Sequence, residues 1–233
     1  MFKRFAPLAL LSLIAAAPAP EPASNVYVAV TTGEGTITLA LDAEHAPVTT
    51  ANFLRYVDQK RFDGTSFYRA MHLDWGTPPN GLIQGGTQND PKRLLKPVAH
   101  EATSKTGILH KRGTISMARF APGTATGDFS IMVSDQPSLD ANPDAPDADS
   151  QAGFAAFGHV VAGMDVVDRI WGLPRSANKG QGVMKGQMLE PAVRIVTMRR
   201  VAAPAAANLV AERAPAPTAQ AAPASDPTAT GRD

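Results

Sequence analysis

Apolar and polar residues alternate over Val26-Tyr27-Val28-Ala29-Val30 and again over Ile37-Thr38-Leu39-Ala40-Leu41, with a Gly-Glu-Gly turn (Gly33–Gly35) between them. Period-two alternation on both sides of a glycine turn predicts a β-hairpin. The period then changes. Val48, Asn52, Phe53, Tyr56 and Val57 fall at helical spacing, and Pro47 suits the first turn of a helix over Ala46–Arg61. Short β-rich runs follow at Ser66–Met71, Gly81–Gln84, Gly113–Ala118, Asp128–Val133 and Ala155–His159. A second helix is predicted at Met164–Trp171 and a last strand at Val193–Val201. Many short strands with two helices predict a mainly β fold, a closed barrel with helices over its open ends.

The two ends of the chain break this pattern. Lys3 and Arg4 precede an almost wholly apolar run, Phe5–Ala17, followed by small residues and prolines. That run is shorter than the roughly 20 residues a membrane span needs, and its flanks fit a secretory signal peptide over residues 1–24. Cleavage is expected somewhere in Ala17–Ser24, and the product in the periplasm or secreted. From Ala202 to Asp233 there are 13 alanines and 5 prolines in 32 residues. This stretch has no sustained apolar face and too many prolines for a long helix, so a disordered tail is expected. The folded unit is then residues 25–201, one domain.

Composition narrows the function. Lys+Arg 22 against Asp+Glu 21 lacks the basic excess of a nucleic-acid binder. Hydrophobic residues at 44% suffice for a core. There is no cysteine, which removes disulfides, a thiol nucleophile, thiolate metal ligands and a lipidated cysteine together. The five histidines (45, 72, 100, 110 and 159) have no close metal-ligand spacing. Asp140, Asp144, Asp147 and Asp149 cluster in Asp140–Ala152, but without the glycine and closing glutamate of a calcium loop. A solvated acidic loop and no metal are expected.

The order of local motifs resembles the cyclophilin-type peptidyl-prolyl cis-trans isomerases over nearly the whole of Val26–Val201. After the hairpin and first helix come Phe62-Asp63-Gly64-Thr65-Ser66-Phe67-Tyr68-Arg69 and Gly81-Leu82-Ile83-Gln84-Gly85-Gly86. Arg112-Gly113-Thr114-Ile115-Ser116-Met117-Ala118 and Phe157-Gly158-His159-Val160, leading into Gly163-Met164-Asp165, complete the series. The resemblance implies an eight-stranded antiparallel barrel capped by two α-helices, acting on X-Pro bonds of polypeptides without a cofactor. It implies that Arg69 is the catalytic arginine and Gln84 the glutamine that binds substrate backbone and steadies it. Leu82, Met117, Ala118, Arg119, Asp128, Leu139 and Phe154 fall at substrate-contact positions.

Several of these depart from the family pattern. Gly81 stands at the place of an aromatic, and Leu82 at that of a methionine. In Gly127-Asp128-Phe129-Ser130-Ile131, Asp128 replaces a glutamine and Ser130 the phenylalanine flooring the proline pocket. Ser138 replaces an aromatic, Phe154 a histidine and Arg119 an asparagine. Fourteen residues separate Arg69 from Gln84, a longer insert than usual, holding Trp75 and the turn formers Pro78-Pro79-Asn80-Gly81. Trp75 is a candidate to fold over the site and restore a lost aromatic wall, or else it packs its own loop. The resemblance places Asp128 beside Arg69, either paired with its guanidinium or drawn away by Arg119. Two functions follow: a monomeric prolyl isomerase assisting the folding of exported proteins, or a catalytically weak module that holds proline segments.

Overall fold

The hairpin foreseen around Gly33–Gly35 forms as β1 (Asn25–Thr32) and β2 (Gly35–Asp42), in register from Asn25↔Asp42 to Thr32↔Gly35. The computed structural model describes residues 25–204. The expected signal peptide and residues 205–233 of the expected tail lie outside them. Further along come α1 (Pro47–Asp58), β3 (Ser66–His72), β4 (Gly81–Gly86), α2 (Thr103–Thr106), β5 (Thr114–Met117) and β6 (Asp128–Met132). The remainder is α3 (Ala148–Ala152), β7 (Ala155–Ala162), α4 (Met164–Trp171), β8 (Arg175–Ser176) and β9 (Met188–Val201).

Every strand pair is antiparallel, in the order β1-β2-β7-β5-β6-β4-β3-β9, and β1 also pairs with β9. That last pairing closes an eight-stranded barrel and leaves it without a free edge. A ninth strand, β8, lies outside, on β9. It was not foreseen, because two residues carry no alternation. β9 starts five residues earlier than expected, where Pro191 interrupts the strand signal. Helices α2 and α3 add to the two expected ones; at four and five residues they are too short to show a period.

The core is aromatic. Phe53 from α1 sits 5.0 Å from Phe62, 5.3 Å from Phe157 and 5.4 Å from Phe129, the last edge to face at 87°. Tilted and edge-on rings suit the ring quadrupoles. α1 buries Phe53, Leu54, Tyr56 and Val57, and α4 buries Val166, Val167 and Ile170. Ala46, which precedes α1, has no side chain to cap it. Glu101 does so from a distant segment, accepting from Val48 N (3.1 Å), Thr49 N (2.7 Å) and the Thr49 hydroxyl (2.6 Å). A carboxylate there satisfies unpaired helix donors and complements the dipole.

Candidate active site

Register builds the site. Arg69 on β3 lies opposite Gln84 on β4, Gln84 opposite Ser130 on β6, and Ser130 opposite Ser116 on β5. Directly paired residues share a face of the sheet, so this rung is a row of polar side chains across four strands. All four line one cleft of about 580 Å³. Its walls are apolar, with Met71, Leu82, Met132, Leu139, Phe154 and Met184 among them. Simple alternation would send Tyr68 and Arg69 to opposite faces. An irregularity between Phe67 and Arg69 shifts the register on both neighbouring strands, and Tyr68 and Arg69 both reach the cleft. The glycines after Gln84 are demanded by packing: a Cβ on Gly86, at φ +128°, would stand 2.3 Å from Gly127 O.

Two acceptors grip the Arg69 guanidinium. Its Nη1 donates to Gln84 Oε1 at 2.8 Å and its Nε to Gln187 Oε1 at 2.8 Å. The Nη2 hydrogens and the second Nη1 hydrogen have no acceptor among the described residues. Burial pushes the guanidinium below its ordinary value, but an arginine stays charged at neutral pH. Gln187 escaped the sequence reading because 118 positions separate it from Arg69.

Asp128 does not pair with Arg69, nor is it drawn away by Arg119; both expected arrangements are corrected. Its carboxylate accepts from Gln88 N (2.8 Å), Asn89 N (3.2 Å) and the hydroxyls of Tyr68 and Thr87 (3.3 Å each). Gln88 and Asn89 both have positive φ, 51° and 56°, so this carboxylate pins a strained turn. Burial pushes the Asp128 carboxyl up despite those donors. Burial, and then the Asp128 charge, raises the Tyr68 hydroxyl. Asp128 therefore makes no contact with Arg69 itself and meets the neighbouring Tyr68 instead.

Arg119 lines the cleft, but its five N–H donors are committed to Gly153 O (twice), Phe120 O, Asp149 O and an Asp149 carboxylate oxygen. With none left for a ligand, it acts by supporting the wall, its guanidinium 4.7 Å from the Phe154 ring centre. Leu82, Met117, Ala118, Leu139 and Phe154 line the cleft as well. Trp75 does not: it is 61% exposed in the loop after β3 and is absent from the lining, so it restores no aromatic wall. The acidic segment is not simply solvated. Asp149 pairs with Arg119, Asp147 caps α3 through Ser150 N, and Asp140 holds His110. Among the described residues no group of three or more His, Cys, Asp or Glu is placed to hold a metal.

His110 is 1% exposed. Its Nδ1 lies 2.6 Å from Asp140 Oδ1 and its Nε2 2.8 Å from Ser116 Oγ. The carboxylate fixes the proton on Nδ1, so Nε2 accepts the Ser116 hydroxyl proton. The series has the order of a hydrolytic triad, but only Ser116 lines the cleft. The enclosed imidazole has no route to a leaving group, and its effect is to orient one hydroxyl of the polar rung.

Two outcomes follow from these buried groups. Asp128→Ala strips two backbone donors and two hydroxyls of a charged acceptor, and should lower unfolding free energy by about 2–3 kcal/mol; unchanged denaturant midpoints would refute the pinning role. Burial pushes the His110 imidazole below its ordinary value, outweighing Asp140. The unfolded chain therefore protonates first on acidification, and this contribution is full above the ordinary imidazole range and lost as pH falls through it. Between about pH 7.5 and about pH 5 the wild type should lose more stability than His110→Gln. Parallel pH profiles would count against it.

The family profile described as "Cyclophilin type peptidyl-prolyl cis-trans isomerase/CLD" matches residues 27–200. Peptidyl-prolyl cis-trans isomerase A of Dickeya dadantii is 38% identical over 165 residues, 69% of this chain and 79% of that protein. Peptidyl-prolyl cis-trans isomerase B of Escherichia coli is 35% identical over 147 residues, 61% of this chain and 82% of that protein. A Cryptosporidium parvum cyclophilin type peptidyl-prolyl cis-trans isomerase superposes with a TM-score of 0.59 at 19% identity, covering 77% of this chain and 99% of that one. That structure speaks for the fold. The family match over residues 27–200, on a barrel whose exposed cleft holds the arginine–glutamine pair, places the chain in the cyclophilin-type peptidyl-prolyl cis-trans isomerase family.

Proposed function

We propose that the chain catalyses rotation about X-Pro bonds in exported polypeptides, with Arg69 as the group that favours the twisted amide. The observation that carries this reading is the Arg69 guanidinium, held on two sides inside an apolar cleft with donors left uncommitted. Rotation about a peptide bond faces a barrier of roughly 20 kcal/mol, because the planar form is held by resonance. At the top of that barrier the nitrogen lone pair no longer conjugates with the carbonyl, and it accepts a hydrogen bond that the planar amide cannot. A donor aimed at that nitrogen binds the transition state more tightly than either ground state, which is what lowers a barrier. No bond to the protein forms or breaks.

The remaining residues supply binding. Met71, Leu82, Met132 and Leu139 give an apolar wall suited to a prolyl ring and its neighbours. Gln84 steadies the guanidinium from the strand facing it. A second reading, a module that holds proline segments and turns them over slowly, draws on Ser130 at the cleft, which offers a hydroxyl in place of an aromatic ring.

Arg69→Ala should reduce kcat/KM on a short X-Pro peptide by about 100-fold or more, the usual scale for losing a donor to a developing transition-state charge. Arg69→Lys should recover little, since a lysine has no planar fork for the two glutamines to grip. Undiminished turnover by Arg69→Ala would overturn the mechanism and leave the holding module.

Export rests on the two cations and the apolar run at the start of the sequence. Expressed whole in a Gram-negative host, the chain should be recovered from the periplasm shortened at its N-terminus. Uncleaved chain confined to the cytoplasm would rule this out.

A further inference from the structure

Arg69 is held from two directions, and only one of the two holders was foreseen. We infer that Gln187 is a positioning residue for Arg69, fixing the plane of the guanidinium and tying it to the loop that forms one wall of the cleft. The inference rests on the reading of Arg69 given above and adds a residue to it.

A single acceptor on one nitrogen leaves the guanidinium free to swing about its own bonds. Acceptors on Nε and on Nη1 fix its plane, because both contacts hold at once in one orientation only. Gln84 meets Nη1 from β4, and Gln187 meets Nε from the residue just before β9, so the two grips come from different neighbours of β3. What the pair leaves uncommitted are the Nη2 hydrogens and one hydrogen of Nη1, the donors a substrate nitrogen needs.

Gln187 can do this because it is itself held at three other points. Its backbone N donates to Met184 O (3.1 Å), and its backbone O accepts from Ala70 N (2.9 Å), the residue after Arg69. Its side-chain Nε2 donates to Val183 O at 2.9 Å. With the amide nitrogen engaged by a carbonyl, the amide oxygen must face Arg69. Val183 and Met184 line the cleft, and Val183 is 86% exposed, an apolar side chain presented at the rim. One glutamine thus joins the reacting guanidinium to a wall that an apolar neighbour of the proline would press on. The local backbone permits it because the β3–β9 register jumps from Phe67↔Val193 to Arg69↔Met188, which places the chain entering β9 beside Arg69.

The test compares Gln187→Met, Gln187→Glu and Arg69→Ala in the full chain, with kcat and KM measured separately on one X-Pro peptide. Methionine keeps length and removes the acceptor; glutamate keeps an acceptor for Nε and removes the donor to Val183 O. Gln187→Met should lose about 10-fold in kcat with KM changed by less than about twofold, the split expected when an interaction acts only in the transition state. Gln187→Glu should restore most of that loss. In ¹H–¹⁵N spectra the Arg69 Nε–H signal, assigned by its absence in Arg69→Ala, should broaden or shift in Gln187→Met and persist in Gln187→Glu. Loss of turnover in Arg69→Ala with wild-type kcat and an unmoved Nε–H signal in Gln187→Met would overturn this inference alone. So would a Gln187→Glu as slow as Gln187→Met, since the acceptor would then not be what matters. Full turnover by Arg69→Ala would remove both the inference and the reading beneath it.

Discussion

Closure of the sheet is the constraint on which the rest of this molecule depends. β1 pairs with β2 on one side and β9 on the other, so no register around the barrel can slip without breaking a ladder elsewhere. A fixed register fixes which residues stand side by side on the outer surface. Arg69, Gln84, Ser130 and Ser116 come from four strands, and nothing but ladder geometry makes them neighbours. The aromatic cluster around Phe53 opposes distortion from within, because rings packed at 5.0–5.7 Å leave little room to shift a strand.

On this rigid base the charged groups divide into those that hold and one that is held ready. Arg119 spends every donor on its own surroundings and serves as a strut. Asp128 pins the turn at Gln88 and Asn89, and His110 with Asp140 sets a single hydroxyl. Of the charged groups lining the cleft, Arg69 alone keeps both hydrogens of one nitrogen without an acceptor among the described residues. An apolar, partly enclosed cleft raises the worth of such donors, since fewer waters compete for them. The same enclosure pushes the Arg69 guanidinium down and the Asp128 carboxyl up.

The strands and the two longer helices were legible because each repeats a period over several residues. Alternation in Val26–Val30 and Ile37–Leu41, and the 3.6 spacing of Val48 to Val57, are properties of neighbouring positions. Arg69 and Gln84 were legible for another reason: each sits in a short motif still recognisable by Phe67 or by the glycines Gly85 and Gly86. Trp75 was left between two readings because composition marks a loop as a turn without saying which way it folds. Asp128 was misjudged because proximity to Arg69 was assumed, whereas the bulge at Tyr68 puts a tyrosine between them.

The sequence by itself determined the barrel class, the order of its eight barrel strands and two longer helices, and the arginine–glutamine pair, since these are written in local periodicity and in short contiguous motifs. Only the tertiary structure decided that Gln187 grips Arg69, that Glu101 caps α1, that Arg119 is already spent and that His110 backs Ser116. The first two are contacts across 118 and 52–53 positions, and four of Arg119's five bonds cross 30–34. The fourth spans six, but also needs Asp140 from 30 positions away to set the imidazole. A hydrogen bond takes its energy from distance and angle in space, and no periodicity along a chain encodes which remote donor and acceptor a closed barrel will bring within 3 Å.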